Sequence, residues 1–453
     1  MGRSRCGRNF GSNTNIKLKK QGSDRMKKEC TGKKSIRKDL IRTAAFLMAA
    51  LLLFGCGREG SPANDTLATE AFTMGQETLQ TGNFRQGENV RDAAQTSETQ
   101  MPEAELPAEP HSVTLIMVGD ILLHTPVEES ARTADGGYDY SAIFANVAEE
   151  IQAADLAIVN QEVIIGGEEL GISGYPAFNA PYEIGDALVE AGFDVICHAT
   201  NHALDKGKRG LLNCLSFWGE KYPDEAVLGI YDSEADSGDI YIYEQDGMRI
   251  AILNYTYGTN GIALPEDMPY AVSLLEKERV ILDLQRAEQE ADFTVVCPHW
   301  GTEYKLGISA EQQRWTEVFL ENGADLVLGT HPHVIEPIEW VEDEKTGAKM
   351  LVYYSLGNFV NWTSGTGEGV ANRMVGGMAQ VTIGRDENGE VVILEYGILP
   401  LVCHVESGSN GVTTYELSDY TAELAERNEI AAQDPNFSLE YCLELCEQVW
   451  GEY

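Results

Sequence analysis

Four of the eight histidines in this chain, His202, His299, His331 and His333, stand just past short apolar runs. Asp120 follows VTLIMVG, Glu162 follows LAIVNQ, and Asn201 and His202 follow FDVICHAT. His299 follows FTVVCP, His331 and His333 follow DLVLGT, and Asn358 follows VYYSLG. A lone histidine at such a place is usually structural, but four of them beside carboxylates and an amide form a metal-binding inventory. Imidazole and carboxylate without thiolate suits Mn, Fe or Zn in a hydrolytic centre. In His331-Pro332-His333, alternate residues of an extended segment point to opposite sides, so the two rings can address two neighbouring metals, with Pro332 fixing the backbone. A metal pair can clamp a phosphate and activate water. It needs a carboxylate between its ions, and Glu162 is the candidate.

The apolar runs that carry these residues read as strands buried on both faces. They begin with VTLIMVG after Ser112 and continue through LAIVN, FDVICH (193–198), RIAILNYTY (249–257), FTVVCPHW (293–300), DLVLG (325–329) and KMLVYYSLG (349–357). Between them, 140–154, 182–192, 273–291 and 311–324 place apolar residues three and four apart, as amphipathic helices do. The alternation predicts a layered α/β domain, with functional residues at the carboxyl ends of its strands. A hairpin turning at Glu387-Asn388-Gly389 makes the sheet mixed. The domain is placed at 112–403, followed by a helical, acidic extension over 404–453.

Upstream of Ser112 the composition changes. Residues 1–42 hold 14 basic against 3 acidic residues, an excess of 11 positive charges, which puts −50 on the remainder of a chain whose net charge is −39. A body that acidic excludes nucleic acid and anionic lipid surfaces as direct partners. The 13 apolar residues 43–55 are too short to span a bilayer and suit the core of an export signal, with Met26-Lys27-Lys28 making a typical start. Leu53-Phe54-Gly55-Cys56 resembles a bacterial lipobox, so 1–56 is read as a signal peptide and Cys56 as the site of a lipid anchor. The polar stretch 57–111, poor in large apolar residues, reads as a disordered linker. Together these place the body at the extracytoplasmic face of the cell membrane.

Some outliers take blander readings. His198 is read as packing, Asp205 as the cap of a helix starting near Lys206, and Glu303 as either an orienter of His299 or a solvated charge. Asn358 is read either as turn punctuation or as part of a pocket-lining loop. Cys197 and Cys297 are read as buried thiols, whereas Cys442 and Cys446, one helical turn apart, could face a partner.

GD (119–120), NQE (160–162), ATNHALDKG (199–207), PHWGTEY (298–304), GTHPHVIEP (329–337) and YSLGNFV (354–360) occur in order along the chain. This succession resembles the CapA family of bacterial capsule proteins, associated with poly-γ-glutamate synthesis, and through it the calcineurin-like metallophosphoesterases. The resemblance implies an α-β-β-α sandwich with mixed sheets. It also implies one or two divalent transition metals (Mn, Fe or Zn), the first held by Asp120 and His333 and the second by Asn201, His299 and His331. Glu162 would take the bridging place, and His202 would face the substrate as a catalytic acid or hydrogen-bond donor. The chain departs from the wider superfamily in having Leu122 where a metal-binding histidine is expected, with His124 the nearest alternative, and in having Glu rather than Asp at 162. The expected function is metal-dependent hydrolysis of a phosphoester, or of an amide of the polymer, within a capsule-synthesis membrane complex. The alternative is a non-catalytic accessory that binds or helps export an anionic polymer.

Overall fold

The computed structural model describes residues 111–406 and 411–451. The export signal, the lipobox-like Cys56 and nearly all of the linker lie outside the described residues. Fourteen strands build two sheets. In chain order they are β1 (Ser112–Ile121), β2 (Leu156–Asn160), β3 (Val195–Cys197), β4 (Ala226–Leu228), β5 (Tyr241–Gln245), β6 (Met248–Thr256) and β7 (Phe293–His299). There follow β8 (Leu326–Leu328), β9 (Ile338–Glu342), β10 (Lys349–Tyr353), β11 (Asn358–Val360), β12 (Val375–Arg385), β13 (Val391–Val405) and β14 (Val412–Glu416).

The first sheet runs β14-β13-β12-β1-β2-β3-β4, with β11 also paired to β1, and the second runs β5-β6-β7-β8-β10-β9. In the first, β1 to β4 pair in parallel and β1, β12, β13 and β14 antiparallel; in the second, the central pairs are parallel and the two edge pairs antiparallel, so both sheets are mixed, as expected. Side chains alternate across each strand. Val113, Leu115 and Met117 of β1 join Leu156, Ile158, Ile250, Ile252, Val295 and Leu326 in a core between the sheets. Ile116 and Val118 face a second core beneath the helices Glu183–Ala191 and Gly207–Lys221. Outside the second sheet, Val280 and Leu284 of Lys277–Glu290 and Phe319 of Ala310–Glu321 form a third. Three apolar layers between four structural ones make this an α-β-β-α sandwich.

Three expectations change. The stretch 140–154 breaks into Ser141–Phe144 and Ala148–Ala153 rather than forming one helix. The boundary placed at 403 falls inside β13, and the stretch beyond it contributes β14 before its helices. Cys442 and Cys446, on the helix Leu439–Trp450, face the core rather than a partner, and all six described cysteines are buried and free.

Candidate metal centre

Asp120 reaches its place because β1 changes partner at its end: β12 pairs with it as far as Val118, and β11 takes over at Asp120. Gly119 permits the crossing, since a Cβ there would lie 1.9 Å from the Gly357 carbonyl oxygen. The Asp120 carboxylate is held by three neighbours. Asn160 Nδ2 donates to Oδ1 at 2.8 Å, the His331 backbone N–H lies 3.3 Å from both oxygens, and His333 Nδ1 is 3.0 Å from Oδ2.

Glu162, just past β2, is fully buried, and neither carboxylate oxygen has a hydrogen-bond partner. Its Oε1 lies 3.6 Å from His333 Nε2 and 3.9 Å from Nε2 of both His202 and His299. His299 ends β7, with Nε2 3.0 Å from Asn201 Oδ1 and Nδ1 3.1 Å from Thr330 Oγ1. His331 packs between the rings of His299 and Tyr257, its Nδ1 without a partner. The structure thus brings Asp120, Glu162, Asn201, His202, His299, His331 and His333 to one place at the ends of the strands.

The His331-Pro332-His333 segment is not extended. His331 has φ +96° and His333 φ +57°, backbone conformations that cost side-chain-bearing residues free energy. The two rings nevertheless serve different groups, one of Glu162, His299 and His331 and the other of Asp120, Glu162 and His333. In each, the possible ligand atoms lie within 4.8 Å of one another. Glu162 belongs to both.

These residues fit a divalent cation. A buried carboxylate without donors is costly unless a positive charge compensates it. Burial, reinforced by the nearby Asp120 and other acids, pushes the Glu162 carboxyl well above its ordinary value despite the opposing effect of His333. Burial and then the surrounding imidazoles push His299 and His331 down, favouring the neutral rings that bind metals. For His333 burial also works against the proton, but the carboxylates of Glu162 and Asp120 outweigh it and lift the ring to about 9. Without a cation, His333 partly takes that role.

Other residues depart from their sequence readings. Asp205 caps no helix: the helix Gly207–Lys221 is entered at Lys206 with no side-chain cap, while Asp205 Oδ2 lies 2.6 Å from His202 Nδ1 and accepts the Phe178 N–H at 2.7 Å. Glu303 is exposed and does not orient His299. Asn358 is more than a turn residue. Its Oδ1 lies 3.1 Å from His333 Nδ1, and its Nδ2 donates to the backbone carbonyls of His333 at 3.0 Å and Arg373 at 2.9 Å. Asn160 had no assigned role; the available signal was a polar side chain closing a wholly buried strand two residues before Glu162. Leu122 is buried, and His124 packs edge-on against Phe178 and Trp362, outside both ligand groups. His198 is a packing residue that accepts from Trp218 Nε1 at 3.2 Å.

Comparison with known proteins gives the following likenesses. The family model described as "Bacterial capsule synthesis protein PGA_cap" matches residues 114–363. A capsule biosynthesis protein CapA of Bacillus anthracis is 29% identical over 269 residues, 56% of this chain and 62% of that protein. A PGA biosynthesis protein CapA of Bacillus subtilis (strain 168) is 33% identical over 181 residues, 39% of this chain and 45% of that protein. The chain therefore spans less than two thirds of the length of either relative. Among solved structures, a novel phosphatase from Mycoplasma pneumoniae matches at TM-score 0.37 and 16% identity, over 65% of this chain and 95% of that one. A 5'-nucleotidase precursor from Thermus thermophilus matches at TM-score 0.40 and 14% identity, over 64% and 54%.

Proposed function

This chain belongs to the bacterial capsule synthesis protein PGA_cap family, and from that premise we propose that it is a metal-dependent hydrolase of the cell envelope that cuts a phosphoester or related bond in capsule-polymer metabolism. The observation that carries the reading is Glu162, a buried carboxylate with both oxygens unpartnered, shared by two ligand groups. Asp120, Glu162 and His333 would hold one ion, and Glu162, Asn201, His299 and His331 a second, of Mn, Fe or Zn. A bound divalent ion supplies Lewis acidity and concentrated positive charge.

The chain's own residues supply the rest. Asp205 accepts from His202 Nδ1, which fixes the ring and turns Nε2 toward the centre, where it can give a proton to a departing oxygen. Asn160 and the His331 N–H hold the Asp120 carboxylate in one orientation. Thr330 Oγ1 does the same for the His299 ring from the Nδ1 side. The 13-residue apolar segment ending before Cys56 supports export, a lipid anchor and a place at the outer face of the membrane, within a capsule-synthesis complex.

The test is metal analysis of the purified chain with a panel of phosphoester and amide substrates. We expect near-stoichiometric transition metal, metal-dependent turnover, and loss of at least about a hundredfold of it in His333→Ala. A protein that stays metal-free after loading with Mn, Fe or Zn would end this reading. Metal and tight polymer binding without turnover of either bond type would favour the accessory role.

A further inference from the structure

A pocket of about 220 Å³ opens beside His333, walled by Tyr304 and Trp362 and including Arg373, Asn361 and Thr363. Its unmet hydrogen-bonding capacity is opposite in kind to that of the metal centre. At Glu162 the unpartnered atoms are acceptors; on two residues that line the pocket they are donors, Arg373 Nε and Asn361 Nδ2, both buried. Unmet acceptors call for a cation, and unmet donors for an oxygen-rich group.

Arg373 is also held ready for such a group. The chain has 72 acidic against 33 basic residues, yet among the described residues no carboxylate lies within ion-pair distance of this guanidinium. Instead it stacks 3.5 Å from the Tyr304 ring centroid, and Nη1 donates to Thr363 Oγ1 at 3.0 Å. Tyr304 is itself fixed by a backbone at φ +62° and by its N–H donating to the Pro332 carbonyl at 2.7 Å. A stacked guanidinium keeps its fork in one plane, the geometry that receives a carboxylate or phosphate through two parallel hydrogen bonds. Asn358 Nδ2 fixes the spacing, because it binds the Arg373 and His333 carbonyls together.

The geometry points to a subsite in which Arg373 and Asn361 hold an oxyanion substituent of the substrate, a carboxylate or a phosphate, next to the bond presented to the metal centre. The inference rests on the hydrolase reading only for the word substrate; the anion site stands without it. The volume admits one such group with a short spacer.

The test is calorimetric titration of the full-length chain, metal-stripped and metal-loaded, with inorganic phosphate, with N-acetylglutamate and with the neutral diamide of the latter. We expect one or both anions to bind and the diamide not to. Arg373→Met should weaken anion binding about ten- to a hundredfold in both forms. Arg373→Lys, which keeps the charge but loses the fork, should fall between, and Asn361→Asp should weaken it about tenfold by like-charge repulsion. Phosphate alone, or N-acetylglutamate alone, would identify the class of substituent. Anion affinity within twofold of the parent in a folded, metal-competent Arg373→Met, equal binding of the diamide, or no anion binding at tens of millimolar overturns the subsite. Arg373-dependent binding in a protein without turnover would leave the subsite standing and remove the hydrolase reading instead.

Discussion

Glu162 is destabilising in the metal-free protein for the same reason that it suits a bridging place: it is a fully buried carboxylate with no donor to either oxygen. Glu162→Gln removes, at nearly constant shape, the ionisable group and with it the cost of burying its charge or of taking up a proton to avoid that. The metal-free variant should melt a few degrees higher, equivalent to about 1–3 kcal/mol, while its metal content falls by at least half. Calorimetry and metal analysis of the same sample check both, and undiminished metal uptake would remove Glu162 from the ligand set. At this scale the proposed ligands were legible in the sequence because histidine and acidic residues interrupt apolar runs, where bare hydrophobic patterning places none. Asp205 and Asn358 were not legible in this way. An acid before a helix looks like a cap whether it binds the helix or a ring, and Asn358 acts through residues 15 and 25 positions away.

Among the elements, the parallel strands were legible because burial on both faces makes them continuous apolar runs. The strands β4 and β11 were not, although β3 and β8, equally short, were. The stretch 140–154 keeps its helical spacing across the break, but Asn146 Nδ2 donates to Thr413 Oγ1 and to the Thr414 carbonyl, drawing the intervening turn onto β14. Tertiary contacts override local propensity there. The left-handed backbone of His331 and His333 was equally invisible, since neither residue type announces it. The crossing of β1 and β11 gives a direct test. Gly119→Ala drives a carbon into the Gly357 backbone, so we expect about 3 kcal/mol of destabilisation and weakened metal binding as Asp120 shifts. Gly219→Ala in the helix Gly207–Lys221, with nothing within 4 Å of the new carbon, should be neutral or stabilising by up to about 1 kcal/mol. Denaturant titration and metal analysis distinguish them; equal effects would mean that the close approach does not position Asp120.

Across the whole molecule, buried acids tie stability to pH. Burial lifts Glu128 to about 8 against its hydrogen bond from Tyr140, Glu336 to about 8 against that from Gln312, and Asp325 to about 7. Each binds its proton more tightly folded than unfolded. Their stabilising contribution is therefore full below the unfolded values near about 4 and is lost as pH rises through the folded ones, by at most about 1.4 kcal/mol per unit for each carboxyl. The metal-free protein should melt progressively lower from pH 5 to pH 8, and Glu128→Gln with Glu336→Gln should flatten that slope; an unchanged slope would show that these carboxyls do not govern it. The acidic surface acts in the same direction, through self-repulsion that grows as acids ionise. One amide gives the molecule a further property. Asn358 touches the ring of His333 with one end and the carbonyls of His333 and Arg373 with the other, so an ion held at the first and an anion held at the second would share this amide as a mechanical link. Thermodynamic reciprocity then requires that any factor by which the ion tightens the anion is returned equally to the ion.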